Sequence, residues 1–204
     1  MRALLVLPTL NEEAGVQGVL EDALRQHEHF DVVVVDGRSE DATVALAQAA
    51  GVHVLQQRGR GKGAAIRTAI DVFLAGPWDA LAMIDADGTY AVDALVDVLP
   101  LLDQHPALVG DRLRGPLEAA SMDRLNFLGN RFLSAVASAV HRTDAADVCS
   151  GCWVMRRSVV EGLRLNSMGF ELEAELFASL AAMGHAPTWA VSYTHLRAHE
   201  TSDY

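Results

Sequence analysis

Two aspartates follow an apolar run near the middle of the chain, and their spacing suits them to hold a cation. The run 81–84 ends at Asp85, and Asp87 and Gly88 follow it closely. In an extended chain, residues two apart lie on the same face, so these carboxylates would repel each other unless a cation lies between them. Mg²⁺ is commonly bound by one or two carboxylates together with phosphate oxygens. A strand followed by an ordinary Asp-Gly turn explains the same residues about equally well.

Two other strand-like segments also end in polar residues. Residues 3–7 and 31–36 are apolar runs of the kind that forms buried parallel strands, whose carboxyl ends gather the ligands of open α/β sheets. We therefore expect the residues at the ends of these runs to lie near the two aspartates and to bind substrate: Pro8, Asn11, Glu12, Asp36 and Ser39.

A basic, glycine-rich loop at residues 58–63 precedes a predicted helix. Glycines let a backbone approach a phosphate closely, and the N-terminus of a helix favours anions. The loop matches neither the phosphate-loop pattern nor the dinucleotide-binding fingerprint, and a flexible basic loop is the alternative interpretation. Lys62 is the only lysine in the 204 residues, which favours a substrate contact at this position.

The elements that must position these residues alternate between strand and helix. Strands are predicted at 3–7, 31–36, 52–55 and 79–84. Helices are predicted at 12–26, with Asn11 as the N-cap, and at 43–50, 63–73 and 91–104. This alternation predicts an α/β fold with a mostly parallel sheet and helices on both faces.

The second half of the chain is less regular. We predict strands at 107–111, 152–155 and 187–193 and helices at 122–141 and 170–183. The helix at 122–141 carries an apolar stripe for which core packing is expected and a membrane-surface role is the alternative: Leu125, Leu128, Phe132, Val136 and Val140. Without repeats or a linker, residues 1–193 are expected to form a single domain.

Composition excludes several classes of function. The net charge of −11 argues against a general nucleic-acid surface or a polybasic membrane anchor. The sequence shows neither a signal peptide nor an apolar window long enough to span a membrane, so a cytoplasmic protein is expected. Cys149 and Cys152 could form a redox pair or half of a zinc site, but the strand-like residues 153–155 follow where a redox motif would open a helix.

Several of these segments together resemble a known family. They are 8–12 (Pro-Thr-Leu-Asn-Glu), 34–43, 61–63, 85–90, 110–112, 126–131, 147–153 and 169–175. In this order they are similar to family 2 glycosyltransferases, and most of all to the branch of dolichyl-phosphate mannose synthases and polyprenyl-phosphate glycosyltransferases. The resemblance covers about residues 1–193.

The resemblance implies a GT-A (Rossmann-like) fold and transfer from a nucleotide-sugar with inversion at the anomeric carbon. By this similarity Pro8, Glu12 and Asp36 would hold the nucleoside. Asp85 and Asp87 would hold Mg²⁺ or Mn²⁺ on the diphosphate. Arg112 and Arg131 would contact anionic groups of the donor or the acceptor, and with Asp87 they are candidate catalytic residues.

The acceptor is less well defined than the donor. A polyprenyl phosphate at the membrane surface is expected, and this acceptor can attack without a base. A small soluble hydroxyl acceptor would need a general base, for which Glu171 is the candidate. A solvated acidic face containing Glu171 and Glu175 is the alternative for these residues. A nucleotide-sugar-binding protein without turnover is a third hypothesis.

The last residues depart from the family pattern. After Tyr193 the branch continues into a basic loop with an arginine and a Gly-x-Ser-Lys element, and residues 194–204 have neither. We therefore expect this atypical tail to be non-native sequence that weakens the acceptor side of the reaction.

Overall fold

A seven-stranded sheet lies at the centre of the fold. The computed structural model of the protein describes residues 1–111, 133–140, 147–169, 171–185 and 187–191. Its strands are β1 (Ala3–Thr9), β2 (Phe30–Asp36), β3 (His53–Gln56), β4 (Ala80–Met83), β5 (Ala107–Asp111), β6 (Trp153–Arg156) and β7 (Thr188–Val191). Their order in the sheet is β3-β2-β1-β4-β6-β5-β7.

Most of the strand pairs are parallel, as predicted. β1 pairs in parallel with β2 and β4, β2 with β3, and β5 with β7. β6 is the exception, because it runs antiparallel to both of its neighbours, β4 and β5. Thr9 is in register with Asp36, so β1 and β2 end at the same level and deliver their following loops to one edge of the sheet.

Helices cover both faces of the sheet, which confirms the predicted architecture. They are α1 (Val16–Arg25), α2 (Thr43–Ala49), α3 (Lys62–Ala75), α4 (Val92–Val98), α5 (described over 133–140), α6 (Arg157–Gly162) and α7 (Leu172–Ala182). Side chains of β1 alternate between two cores. Leu5 and Leu7 pack with α1, α2 and α4, whereas Leu4 and Val6 pack with α3, α6 and α7.

Two predicted helices differ from those observed. The first begins at Val16 rather than residue 12, and Asn11 does not cap it. Asn11 has a positive φ of 59°, and its Oδ1 accepts a hydrogen bond from the backbone N–H of Glu40, so it ties two loops together. The helix predicted at 91–104 ends at Val98 and continues as a 3-10 helix, Leu99–Asp103. Pro100 explains the change, since it has no N–H to continue the α-helical bonding.

The expected core packing of the apolar stripe is wrong for the two of its residues that the structure describes. Val136 and Val140 are 45% and 68% exposed on α5. Leu125, Leu128 and Phe132 lie outside the described residues. No helix within the described ranges is both long enough and apolar enough to cross a bilayer.

Candidate active site

A cleft of about 640 Å³ opens at the carboxyl ends of β1, β2 and β4. Its lining includes five of the predicted site residues, which are Pro8, Glu12, Lys62, Asp85 and Asp87. The strand ends and the glycine-rich loop therefore do converge on one edge of the sheet, as their positions in the sequence indicated.

Asp36, Ser39 and Asn11 organise the loops beneath the cleft. Asp36 is buried, and its Oδ2 accepts hydrogen bonds from the backbone N–H groups of Arg38 (2.7 Å) and Ser39 (3.0 Å). The Ser39 hydroxyl donates to Asp36 Oδ1 (2.6 Å) and accepts from the backbone N–H of Asn11 (2.9 Å). These hydrogen bonds fix the conformations of the loops that follow β1 and β2. Direct contact of these residues with a nucleoside remains a prediction.

Lys62 joins three elements at the inner end of the cleft. Its Nζ lies 2.7 Å from Asp85 Oδ1, after β4, and 2.9 Å from Glu173 Oε1 on α7. Burial lowers the pKa of Lys62, but the negative charges of Asp85 and Glu173 outweigh burial, and the net shift is upward. Lys62 therefore remains a cation at neutral pH and fixes one oxygen of Asp85.

Glu173 is the site residue that sequence reasoning missed. It is 5% exposed, and its Oε2 has no hydrogen-bond partner within the part of the chain that the structure describes. The periodicity of α7 could have identified it, because Glu173, Phe177 and Leu180 are spaced as one buried helical face.

Glu171 and Glu175 have a different role from Glu173, because they bind the loop that precedes α7. Glu171 Oε1 accepts a hydrogen bond from the backbone N–H of Gly169 (3.0 Å), and Glu175 Oε2 accepts one from Ser167 (2.8 Å). Backbone hydrogen bonds lower the pKa of Glu171. Burial acts to raise the pKa of Glu175, but the hydrogen bonds it accepts outweigh burial and lower it. The role of Glu171 as a general base remains a prediction, and Glu171 is not among the residues that line the cleft.

Both aspartates lie beyond the end of β4, Asp85 in an irregular segment and Asp87 in the turn that follows it. β4 ends at Met83, and Asp87 Oδ1 accepts a hydrogen bond from the backbone N–H of Thr89 (2.8 Å). Glu12 adds a third carboxylate to the cleft. Its pKa is raised, first by burial and then by the negative charges of Asp87, Asp85 and Asp41, with Lys62 opposing them.

Asp85 and Asp87 supply the carboxylate oxygens that suit a hard divalent cation whose coordination is completed by ligand oxygens. Within the described ranges, no group of three or more histidine, cysteine, aspartate or glutamate side chains is placed to hold a metal ion. Mg²⁺ and Mn²⁺ suit carboxylate oxygens, and Mg²⁺ is usually bound by one or two carboxylates together with phosphates of the substrate. An ion between Asp85 and Asp87 would thus depend on oxygens brought by a bound ligand.

The remaining sequence candidates fall in two groups. Arg112, Arg131 and the tail 194–204 lie outside the described residues. Cys149 and Cys152 are described, and they are not joined by a disulfide.

The sequence has clear relatives among known proteins. Residues 4–164 match the model of the family named Glycosyl transferase family 2. The chain belongs to glycosyl transferase family 2. It is 35% identical to "Glycosyltransferase AglJ" of Haloferax volcanii over 181 residues, and it is 31% identical to "Dolichyl-phosphate hexose transferase" of the same organism over 183 residues. These matches cover 88% and 89% of this chain, and 58% and 77% of the respective relatives.

A third relative supports the branch predicted from the motifs. "Polyprenol monophosphomannose synthase" of Mycolicibacterium smegmatis is 27% identical over 182 residues, which cover 82% of this chain and 66% of that protein. The resemblance to the dolichyl- and polyprenyl-phosphate branch is thereby confirmed. The chain spans little more than half the length of AglJ.

The fold is that of known GT-A glycosyltransferases. Glucosyl-3-phosphoglycerate synthase from Mycobacterium tuberculosis, solved in complex with Mn²⁺ and UDP-glucose, superposes with a TM-score of 0.72 at 21% identity. The superposition covers 94% of this chain and 69% of that one. The predicted GT-A architecture, with a mostly parallel sheet, is confirmed.

Proposed function

We propose that this protein transfers a sugar from a nucleotide-sugar to a polyprenyl (dolichyl-type) phosphate. The observation that carries the proposal is the cleft in which Asp85, Asp87 and Glu12 gather beside the partly buried cation of Lys62. The names of the family relatives that act on dolichyl and polyprenyl phosphates support this acceptor. A lipid acceptor implies that the protein works at a membrane surface.

The donor would lie along the cleft with its diphosphate near the aspartates. The loops after β1 and β2 would hold the nucleoside, and Asp85 and Asp87 would hold a divalent ion. When bound, Mg²⁺ or Mn²⁺ would neutralise charge on the departing diphosphate. Lys62 keeps its positive charge at neutral pH, so it adds to the attraction of this end of the cleft for phosphate. Structures of the glucosyl-3-phosphoglycerate synthase with Mn²⁺ and UDP-glucose support a donor of this class.

The proposed reaction is a single displacement with inversion. An oxygen of the acceptor phosphate attacks the anomeric carbon, and the bond from that carbon to the nucleoside diphosphate breaks. The diphosphate takes the electron pair. An acceptor phosphate is already anionic at neutral pH, so no proton has to be removed. The state of Glu171 supports this acceptor, because backbone hydrogen bonds lower its pKa and make it a weaker base.

A small soluble hydroxyl acceptor is the second candidate. The likeness in fold to a glucosyl-3-phosphoglycerate synthase favours it, since that enzyme is named for a phosphorylated hydroxy acid. In that case a carboxylate would have to accept the hydroxyl proton, and Glu171 remains the candidate for this role.

Product analysis separates these functions. The full chain would be incubated with Mn²⁺, a panel of nucleotide-sugars and either a polyprenyl phosphate or 3-phosphoglycerate, with Asp87→Asn as the matched control. We expect a glycosylated lipid phosphate in the parent and far less of it in the variant. If product forms from 3-phosphoglycerate but not from the polyprenyl phosphate, transfer to a small soluble hydroxyl acceptor is favoured. Nucleotide binding without product from either acceptor would contradict both and support a protein that only binds nucleotide-sugars.

A further inference from the structure

The Cys-Ser-Gly-Cys turn before β6 lies against the carboxylate of Asp85. A Cβ atom added at Gly151 would lie 1.9 Å from Asp85 Oδ2 and 2.5 Å from Asp85 Cγ, far closer than real Cβ contacts. The φ angle of Gly151 is outside the left-handed region, so its backbone conformation does not require glycine. The close approach to Asp85 is what leaves no room for a side chain at this position.

Buried hydrogen bonds hold this turn in place. The backbone N–H of Gly151 donates to the hydroxyl of Tyr90 (2.9 Å), and the backbone N–H of Cys152 donates to Ser150 Oγ (3.1 Å). The indole N–H of Trp153 donates to the carbonyl oxygen of Ser150 (2.8 Å). Because these groups are buried and bonded, the turn cannot move away from Asp85 without breaking several hydrogen bonds.

Asp85 is therefore confined from two sides. Lys62 Nζ binds Oδ1 at 2.7 Å, and the turn at Gly151 approaches Oδ2 so closely that it leaves no space for a Cβ atom. A second glycine packs against the same segment, since a Cβ at Gly15 would lie 2.8 Å from the Cα of Asp87. The stretch that carries both aspartates thus lies between two glycines from separate parts of the chain.

We propose that Gly151 is a positioning residue that holds the Asp85 carboxylate in the orientation needed to bind a divalent cation. The proposal rests on the proposed role of Asp85 as a metal ligand. It also gives the Cys-Ser-Gly-Cys motif a function other than redox chemistry or zinc binding. Gly151 would fix the orientation of the Asp85 carboxylate, much as residues around a metal site orient the side chains that bind the metal.

A cycle of substitutions tests the packing of Gly151 on Asp85 without any metal. Melting temperatures would be measured for the parent, Gly151→Ala, Asp85→Ala and the double variant. We expect Gly151→Ala to lower the melting temperature by several degrees in the parent and by much less in the Asp85→Ala background, because the clashing carboxylate is then gone. An equal loss in both backgrounds would overturn the proposal.

Gly18→Ala is the matched control. Gly18 lies on the exposed face of α1, and a Cβ there would meet nothing within 4 Å. This variant should be as stable as the parent or slightly more stable. If Gly151→Ala alone does not fold, folding of the double variant supports the proposal, and failure of both to fold overturns it.

The affinity for Mn²⁺ distinguishes a positioning role of Gly151 from a purely structural one, since loss of a purely structural role would leave this affinity unchanged. Mn²⁺ affinity would be measured by electron paramagnetic resonance for folded parent, Gly151→Ala and Gly18→Ala, in the presence of whichever of UDP, GDP, CDP and ADP most raises the melting temperature of the parent. We expect Gly151→Ala to weaken Mn²⁺ binding by about 10- to 100-fold and Gly18→Ala to leave it unchanged. Unchanged affinity in folded Gly151→Ala would overturn the positioning role. If the parent itself binds no Mn²⁺, the proposed metal site fails, while the stability cycle still decides whether Gly151 fixes Asp85.

Discussion

Asp87 is the more exposed of the two aspartates, and its charge can be removed without disturbing the turn that it forms. Asparagine keeps the Oδ1 atom that accepts the backbone N–H of Thr89. Asp87→Asn should therefore leave the melting temperature nearly unchanged but weaken Mn²⁺-dependent binding of the nucleoside diphosphate that the parent binds by at least about tenfold, which is roughly 1.4 kcal/mol. Calorimetric titration of that nucleotide with and without Mn²⁺ measures the effect. An unchanged Mn²⁺-dependent affinity in the variant would show that Asp87 is not a metal ligand.

Glu12 gives the site a dependence on pH whose sign follows from its raised pKa. Burial and the neighbouring carboxylates raise this pKa above the usual 4.5, so the folded protein holds the proton more tightly than the unfolded chain. The stability that Glu12 contributes is present below about pH 4.5 and is lost as pH rises through the raised pKa. Glu12→Gln should therefore raise the melting temperature of the metal-free protein near neutral pH.

The same variant should show a much smaller gain near pH 4, where Glu12 is mostly protonated in both the folded and the unfolded state. Added Mn²⁺ with the nucleoside diphosphate that the parent binds should also reduce the gain at neutral pH, because the cation offsets the repulsion among the carboxylates. Thermal unfolding across this pH range is the measurement. A gain of the same size at both ends of the range would mean that charge repulsion is not its cause.

At the scale of elements, Lys62 connects the start of α3 with the end of β4 and with α7. Its removal would leave Asp85 and the buried Glu173 without their shared cation. Breaking a fully buried ion pair by removing one partner costs about 3–5 kcal/mol. The side chains of Lys62 and Glu173 are 17% and 6% exposed, so Lys62→Met should lower the free energy of unfolding by up to about this amount. Urea unfolding measures the loss.

An exposed ion pair provides the control for the effect of removing Lys62. Arg58 and Asp71 form a pair whose side chains are 81% and 63% exposed. Arg58→Met should cost less than about 1 kcal/mol, because exposed ion pairs contribute little. Combining Lys62→Met with Glu173→Gln should recover part of the loss, since the buried charge is then removed as well. Equal losses from Lys62→Met and Arg58→Met would contradict the connecting role of Lys62.

The elements that the sequence predicted well are those whose formation depends on local pattern. The apolar runs at β1, β2 and β4 are buried on both faces, and their parallel pairing brings Pro8, Glu12 and Asp85 to one edge. Where tertiary contacts decide, prediction failed. Asn11 has the residue type of a helix cap, yet it bonds to Glu40 on a loop 29 residues away, which no local pattern encodes. The periodicity of α7 could have marked Glu173 as buried, but its ion pair with Lys62, which is on a different helix, is not encoded in any local pattern.

At the scale of the whole molecule, the site draws on segments from residue 8 to residue 173, so a bound donor should stabilise the fold as a unit. A ligand at about 100 times its Kd adds roughly 2.7 kcal/mol to the stability of the folded state. For a protein of this length, that corresponds to a rise in melting temperature of about 5–11 °C. We expect a rise of this size with one nucleoside diphosphate and Mn²⁺ among a panel of UDP, GDP, CDP and ADP.

The panel also tests whether metal and nucleotide bind as a unit. Within the described ranges no group of three or more histidine, cysteine, aspartate or glutamate side chains is placed to hold a metal ion. We therefore expect the diphosphate to supply part of the coordination. Mn²⁺ alone, and the nucleotide with a chelator, should each give a much smaller rise than the two together. Asp87→Asn should abolish the extra rise, whereas Gly18→Ala, on the exposed face of α1, should keep it. If the nucleotide with a chelator stabilises the protein as strongly as the nucleotide with Mn²⁺, the donor binds without a bridging ion. The cations in the lining of the cleft, Arg38, Arg60 and Lys62, would then be the candidates to contact its phosphates.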